Sequence, residues 1–318
     1  MEISNLPNKD EKKTAVSVEL ALDDPLKLTA YQSMTSIIWG RFRRHPAALI
    51  STAVLTLLIL SVILVSFSPY DPNASDITSR LQPPSWEHPM GTDQLGRDML
   101  TRILYGGRIS MTVAALVVII TLLVGIPVGA ISGYFGGAID NILMRITDMA
   151  LTLPSLLILI LLSAILREVD VPLLKSNNVF TIALVIGILS WMTVARLLRA
   201  GFLSMREMEF IEASRALGSS NWIIMTRHLL PNTISPIIVQ STLSLGFAIM
   251  LESGLSFLGF GIQPPTASWG NLLSNAQEHM TQHPWLAIFP GMMIFIAVIS
   301  INYIGDALRD AIDPHSVF

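Results

Sequence analysis

Apolar residues run for about the length of a bilayer crossing at six places along this chain: 47–67, 111–133, 149–166, 179–195, 236–260 and, with few polar interruptions, 286–305, and Glu252 is the one charged residue within them. A hydrocarbon core about 30 Å thick takes about 20 residues at 1.5 Å rise each. Backbone amides at that depth must be paired within the segment, and none of the stretches alternates as a barrel strand does. All six are therefore expected to be helices of an all-α integral membrane protein. Hydrophobic residues make up 52% of the 318 and charged residues only 14%, with a mean hydropathy of +0.59. A soluble domain does not have that balance, so lipid must cover much of the surface. The pattern divides the chain into a polar arm (1–45), a first helix with its following loop (46–110), a core of five further spans (111–306) and a short tail (307–318). The arm holds no apolar run with a small-residue cleavage site, so the first span is expected to be retained.

An even number of spans puts both termini on one side, and Lys and Arg indicate which. With a cytoplasmic N-terminus, fourteen of the twenty basic residues fall inside. Four of the six outside (Arg80, Arg97, Arg102 and Arg108) lie in or just after the long loop that follows the first span, where the bias guides least. Arg41, Arg43 and Arg44 stand just before that span as headgroup anchors. A net charge of −3 gives no reason to expect nucleic acid as a partner, and the absence of cysteine excludes disulfides and thiolate chemistry.

One connection differs from the others. Between the fourth and fifth spans, residues of the stretch at about 199–235 read as helix, turn, helix. Residues 207–217 are good helix formers; Phe210, Ser214 and Leu217 share one face, and Glu209, Glu212 and Arg215 recur at spacing three on another. Gly218 suits a left-handed C-cap, Ser219, Ser220 and Asn221 offer an N-cap, and a second helix over 222–230 is expected to stop at Pro231. By pattern alone this is either a projecting elbow or an amphipathic hairpin on the membrane surface, with Trp222 and Arg227 as interfacial anchors.

The string Glu212-Ala213-Ser214-Arg215-Ala216-Leu217-Gly218, followed after nine residues by His228-Leu229-Leu230-Pro231, resembles the EAA loop of ABC-importer permeases. Ser214 stands where that pattern has its second alanine, and His228 where it has isoleucine. Gly91-Thr92-Asp93 with Gly96-Arg97-Asp98, Arg108 and Ser110 resembles the segment before the second span in C-type subunits of the dipeptide, oligopeptide and nickel permeases. Met144-Arg145 with Asp148 and Pro154, Leu255 to Gly259, Gln263-Pro264-Pro265, Ser268-Trp269-Gly270, and Gly305 to Asp310 with Asp313-Pro314 resemble further blocks of that subfamily, so the likeness covers roughly 35–318.

The resemblance implies the type I ABC-importer permease fold in a bacterial or archaeal plasma membrane, with cytoplasmic coupling helices between the fourth and fifth spans. It implies that Glu212 through Gly218 couple mechanically to a separate ATPase. The implied partners are a second, homologous permease subunit, two ATP-binding-cassette ATPase subunits that carry ATP and Mg, and an extracytoplasmic solute-binding protein. Relatives carry peptides, nickel chelates, glutathione or opines, so the solute class is narrowed without being named.

Other residues were weighed on their chemistry. Glu252 lies well into the fifth span among apolar neighbours, where an unpaired charge costs roughly 2.5–3.5 kcal/mol near the bilayer centre. It is expected to hydrogen-bond a partner helix, line the solute path or relay protons, the last supporting a proton-coupled transporter as runner-up. Arg145 with Asp148, and Arg309 with Asp313, are spaced for ion pairs along a helix. The loop 261–284, with Trp269 and several prolines, suits a lid at the outer headgroup level. No Gly-x-x-x-x-Gly-Lys-Ser/Thr string occurs, so the chain lacks the usual means of binding ATP and is expected to be non-catalytic. His279 and His283 have the spacing of a metal pair, but Met280 replaces the glutamate of a zinc-protease motif, which favours loop histidines.

Overall fold

The computed structural model describes residues 34–68, 70–168 and 178–312. Ten helices follow one another among these residues, joined by turns: α1 (Met34–Phe42), α2 (Pro46–Leu64, prolonged by a 3-10 turn Val65–Phe67), α3 (Met99–Phe135), α4 (Gly137–Thr152), α5 (Ser155–Glu168), α6 (Asn178–Met205), α7 (Glu209–Ala216), α8 (Asn221–Phe257), α9 (Trp269–Ala276) and α10 (Trp285–Ile312). Helices α2, α3, α6, α8 and α10 are each long and apolar enough to cross a membrane. The pair α4 and α5, bent by 91°, makes a sixth crossing when the two are counted as one span.

That bend corrects the third expected span. Residues 149–152 close α4 rather than open α5, because Pro154 disfavours the helical region for the residue before it, and Leu153 is accordingly extended at φ −80° and ψ 139°. The fourteen residues of α5 reach only roughly 21 Å. Helix α3 also starts three turns before the apolar run, at Asp98, whose carboxylate accepts the Thr101 N–H at 2.8 Å. The expected stop at Pro231 is absent. A π-helical stretch, Ile224–Leu229, lets the Leu230 N–H reach back five residues to Met225 O, and α8 runs on through Pro231 and Pro236.

The closest packing in the bundle is between α3 and α6. Gly125, Gly129 and Gly133, four residues apart on α3, face α6 so tightly that a Cβ on Gly129 would lie 2.5 Å from Ala195 O, and one on Gly133 2.6 Å from Phe202 Cβ. Small residues at this spacing let two backbones approach in a membrane, where apolar burial gives helices no net attraction over lipid. Around this contact lie two apolar clusters. One gathers Ile103, Leu159, Ile186, Leu255 and Trp269. The other, at the opposite end of α3 and α6, gathers Tyr134, Leu198, Phe202, Ile211, Ile224 and Leu229. Trp269 is thus a core residue, donating from its indole to Ile103 O at 2.9 Å, so the 261–284 loop is packed onto the bundle at this point. The large apolar side chains left exposed on the spans, such as Leu57, Leu123, Phe247 and Phe295, make the lipid- or partner-facing surface.

Candidate functional site: the elbow and the polar nodes of the bundle

Helix α7 begins at Met208, which has extended backbone and no side-chain cap, with Glu209 and Glu212 in the first turn, where the helix dipole favours negative charge. It ends in a Schellman motif. The Ser219 N–H donates to Ser214 O at 3.1 Å and the Gly218 N–H to Arg215 O at 2.9 Å, with Gly218 at φ +81°. A Cβ on Gly218 would meet nothing within 4 Å, so the backbone conformation, not space, selects glycine there. Ser220 then caps the next helix, accepting from the Ile223 N–H at 3.4 Å.

The elbow rests on the bundle by one face. Ile211 is fully buried and Ser214 nearly so, against the cluster of Tyr134, Phe202 and Ile224. The small serine in the motif thus lies on the face that packs against the bundle. Phe210 and Leu217, which the spacing placed with Ser214, instead point outward, Leu217 at 87% exposure. Glu212, Ala213, Arg215, Ala216 and Gly218 are exposed, as is Trp222 beside them. The Arg215 guanidinium lies over the Tyr134 ring, 5.5 Å from its centroid, and the Tyr134 hydroxyl donates to Asn221 Oδ1 at 2.7 Å. The end of α3 therefore touches both arms of the elbow.

Two acid–base pairs fix α4 to α6 on the same side of the bundle. Asp140 accepts from Arg199 Nη2 at 2.6 Å and from Ser132, and Asp148 pairs with Arg196. Asp148 thus reaches across to another helix rather than to Arg145 on its own. Asp313, the expected partner of Arg309, lies outside the described residues.

At the far end, Glu252 is fully buried and occupied by serines. Ser110 Oγ of α3 donates to Oε2 and Ser256 Oγ to Oε1, each at 2.7 Å. The Trp269 N–H then donates to Ser110 Oγ at 3.3 Å and the Ile262 N–H to Ser256 Oγ at 3.0 Å. One carboxylate so ties α3, α8, the loop after α8 and the start of α9. His279 and His283 stand with ring centroids 6.4 Å apart, and His283 meets the Trp285 ring edge-on.

The loop before α3 holds a second polar node, of which the sequence reading held Asp93, Arg97 and Asp98 as parts of a motif, Arg102 only as an outer basic residue, and His88 not at all. Asp93 takes Arg97 Nε at 2.7 Å and the Leu95 and Arg97 backbone N–H groups, with Arg102 Nε 3.5 Å away; Asp98 faces His88 Nδ1 at 2.9 Å. All five side chains are buried. The signal lay in the density of acid–base pairs beside Gly91 and Gly96, both at positive φ.

An all-helical bundle of five to six crossings with a capped helical elbow at one end defines a polytopic transport subunit of the type I ABC-importer permease fold. The chain belongs to the family of binding-protein-dependent transport system inner membrane components, whose pattern matches residues 125–317. A second pattern, the N-terminal transmembrane domain of oligopeptide transport permease C, matches residues 33–84. A Brucella suis chain that carries the name peptide permease protein is 41% identical over 280 residues, 87% of this chain and 90% of that one. The oligopeptide transport system permease protein OppC of Bacillus subtilis is 37% identical over 275 residues, 86% of this chain and 87% of that one. Among solved structures, the inward-facing MetNI methionine ABC transporter matches with a TM-score of 0.54 at 18% identity, over 68% of this chain and 98% of that chain, and so speaks for the fold. This is a multi-pass permease subunit of an ATP-binding-cassette importer in a bacterial inner membrane.

Proposed function

We propose that this subunit imports peptides and that the elbow of α7 and Gly218 is the point at which an ATPase subunit drives it. The peptide reading rests on relatives named for peptide and oligopeptide transport that align over 86–87% of the chain. The coupling reading rests on one observation: α7 buries only Ile211 and Ser214 and presents Glu212, Ala213, Arg215, Ala216, Leu217 and Gly218 outward. A short helix seated on two small contacts and capped at a glycine can be pushed as one body, and Tyr134 passes that push to α3.

Partner subunits complete the machine. A second, homologous permease covers the exposed apolar span faces, since six helices are few to enclose a path for a peptide's polar backbone. Two ATPase subunits hold ATP and Mg and dock on the two elbows, and a solute-binding protein delivers from the opposite side. The chain itself performs no catalysis, binds no cofactor and takes no nucleic acid. Its termini are cytoplasmic. Two of the six basic residues on the outer side, Arg97 and Arg102, are buried beside Asp93, which leaves the exposed basic excess further to the inside.

Uptake into proteoliposomes tests the reading. With the complete set of subunits, ATP should drive uptake of a labelled tripeptide, and dissipating a proton gradient at constant ATP should leave it unchanged. Parallel arms with nickel chelate, glutathione and an opine define the solute class. Peptide uptake that persists after the ATPase subunits are omitted would refute the proposal.

A further inference from the structure

At the end of the bundle opposite the elbow, a cavity of about 160 Å³ opens between the end of α5, the start of α6 and the loop after α8. Its walls include Ser163, Arg167, Asn178, Thr181 and Gly261. The volume far exceeds the about 10–15 Å³ that admits one water. Polar groups converge on it from three elements, which an interhelical gap left by imperfect packing would not show.

Two features point to an anionic occupant. The Arg167 guanidinium is braced in place: Nη1 donates to Gly259 O at 3.1 Å, Nη2 to Gly261 O at 2.9 Å, and its carbon lies 6.0 Å from the centroid of the Phe260 ring. Those two bonds use two of the five N–H donors of a guanidinium, and no acidic side chain faces the remainder among the described residues. Ser163, on the cavity wall, is 1% exposed and its hydroxyl finds no hydrogen-bond partner. A buried hydroxyl left unpaired is costly, and a ligand oxygen satisfies it. The planar fork of arginine matches a carboxylate.

From this geometry we infer that the cavity is a subsite for the carboxylate of the transported solute, held between Arg167 and Ser163 as it enters the path. The inference deepens the peptide reading and rests on it: the group recognised is the free C-terminal carboxylate of a peptide. Asn178 and Thr181, on the neighbouring helix, supply further polar lining. Because Arg167 also braces the backbone at Gly259 and Gly261, it selects the solute and shapes the loop over it at once.

The test compares a tripeptide with its C-terminal amide in the complete reconstituted transporter, each at concentrations that saturate the binding protein. The same binding protein serves every variant, so its own preference cancels. The ratio of acid to amide uptake should fall by about tenfold or more in Arg167→Gln, the scale of one charge-assisted hydrogen-bonded pair. If that variant does not assemble, Ser163→Ala decides, with an expected fall in the ratio of about threefold or more from the loss of one hydroxyl. An unchanged ratio in the deciding variant, with wild-type uptake intact, overturns the subsite alone. Wild-type uptake of neither peptide overturns the peptide reading and the subsite with it.

Discussion

The Arg215 guanidinium lies over the ring of Tyr134, 5.5 Å from its centroid, so α7 and the end of the second span meet through a cation and an aromatic face. The hydroxyl of the same tyrosine holds Asn221 on the other arm of the elbow. Both arms of the elbow are thus joined to the end of the 37-residue α3 through Tyr134.

Tyr134→Ala should remove this joint. Loss of the ring costs on the order of 3–5 kcal/mol as a buried aromatic truncation, and the cation–π contact about 0.5–2 kcal/mol of it. Tyr134→Phe keeps the ring and loses only the bond to Asn221, about 1 kcal/mol. Peptide uptake per ATP hydrolysed should fall strongly in the first variant and mildly in the second; equal effects would deny the ring its role.

Gly218 allows a finer comparison, because a side chain there meets open space. Within this chain, substitution acts through φ +81° and not through a clash. Gly218→Val should uncouple uptake from hydrolysis and shorten the life of the assembled complex, with a backbone cost of about 1–2 kcal/mol or more. Gly218→Asn should do less harm, since asparagine visits the left-handed region more readily. Uptake-to-hydrolysis ratios across the series should rank Gly, Asn, Ala, Val; a ranking by side-chain volume alone, with Ala ahead of Asn, would speak for steric exclusion.

Glu252 anchors two serines from two helices. Glu252→Gln retains an acceptor and should unfold close to wild type in detergent, whereas Glu252→Leu takes away the acceptor to which the Ser110 and Ser256 hydroxyls donate, at about 1–3 kcal/mol each. Thermal unfolding should separate the two. A proton-relay role would instead make both variants equally inactive with unchanged stability.

Asp93 holds Arg97 and stands 3.5 Å from Arg102, all three buried. Asp93→Asn leaves two buried cations without their counter-ion, a loss of about 3–5 kcal/mol. Limited proteolysis from the outer face should cut the 70–98 loop in this variant well before wild type. Glu87→Gln, at an exposed position of the same loop, should leave the cutting rate as it is.

The spans and the elbow were legible because lipid imposes a long apolar run and the coupling motif is long and specific. The bend at Pro154 was present in the sequence as a proline, yet the apolar run continues across it, so hydropathy joined residues 149–152 to the wrong helix. The continuation through Pro231 was hidden for the opposite reason: a π turn absorbs the missing donor, and no residue type announces it. Gly125, Gly129 and Gly133 were a readable signal for close packing that span counting passed over. Which of Phe210, Ile211 and Ser214 faces inward depended on where Tyr134 and Phe202 lie, and that is a tertiary fact. The pairing of Asp148 with Arg196 was likewise beyond spacing rules, which see only one helix at a time.

The chain has no cysteine, so a single one reports its own surroundings cleanly. Leu217→Cys, at the exposed tip of the elbow, should form a crosslink to an ATPase subunit in the assembled complex, faster with ATP bound, while Trp86→Cys at the opposite end should not. A Leu217→Cys chain that reacts only with an impermeant reagent added from the outside, or never reaches an ATPase subunit, would contradict the account.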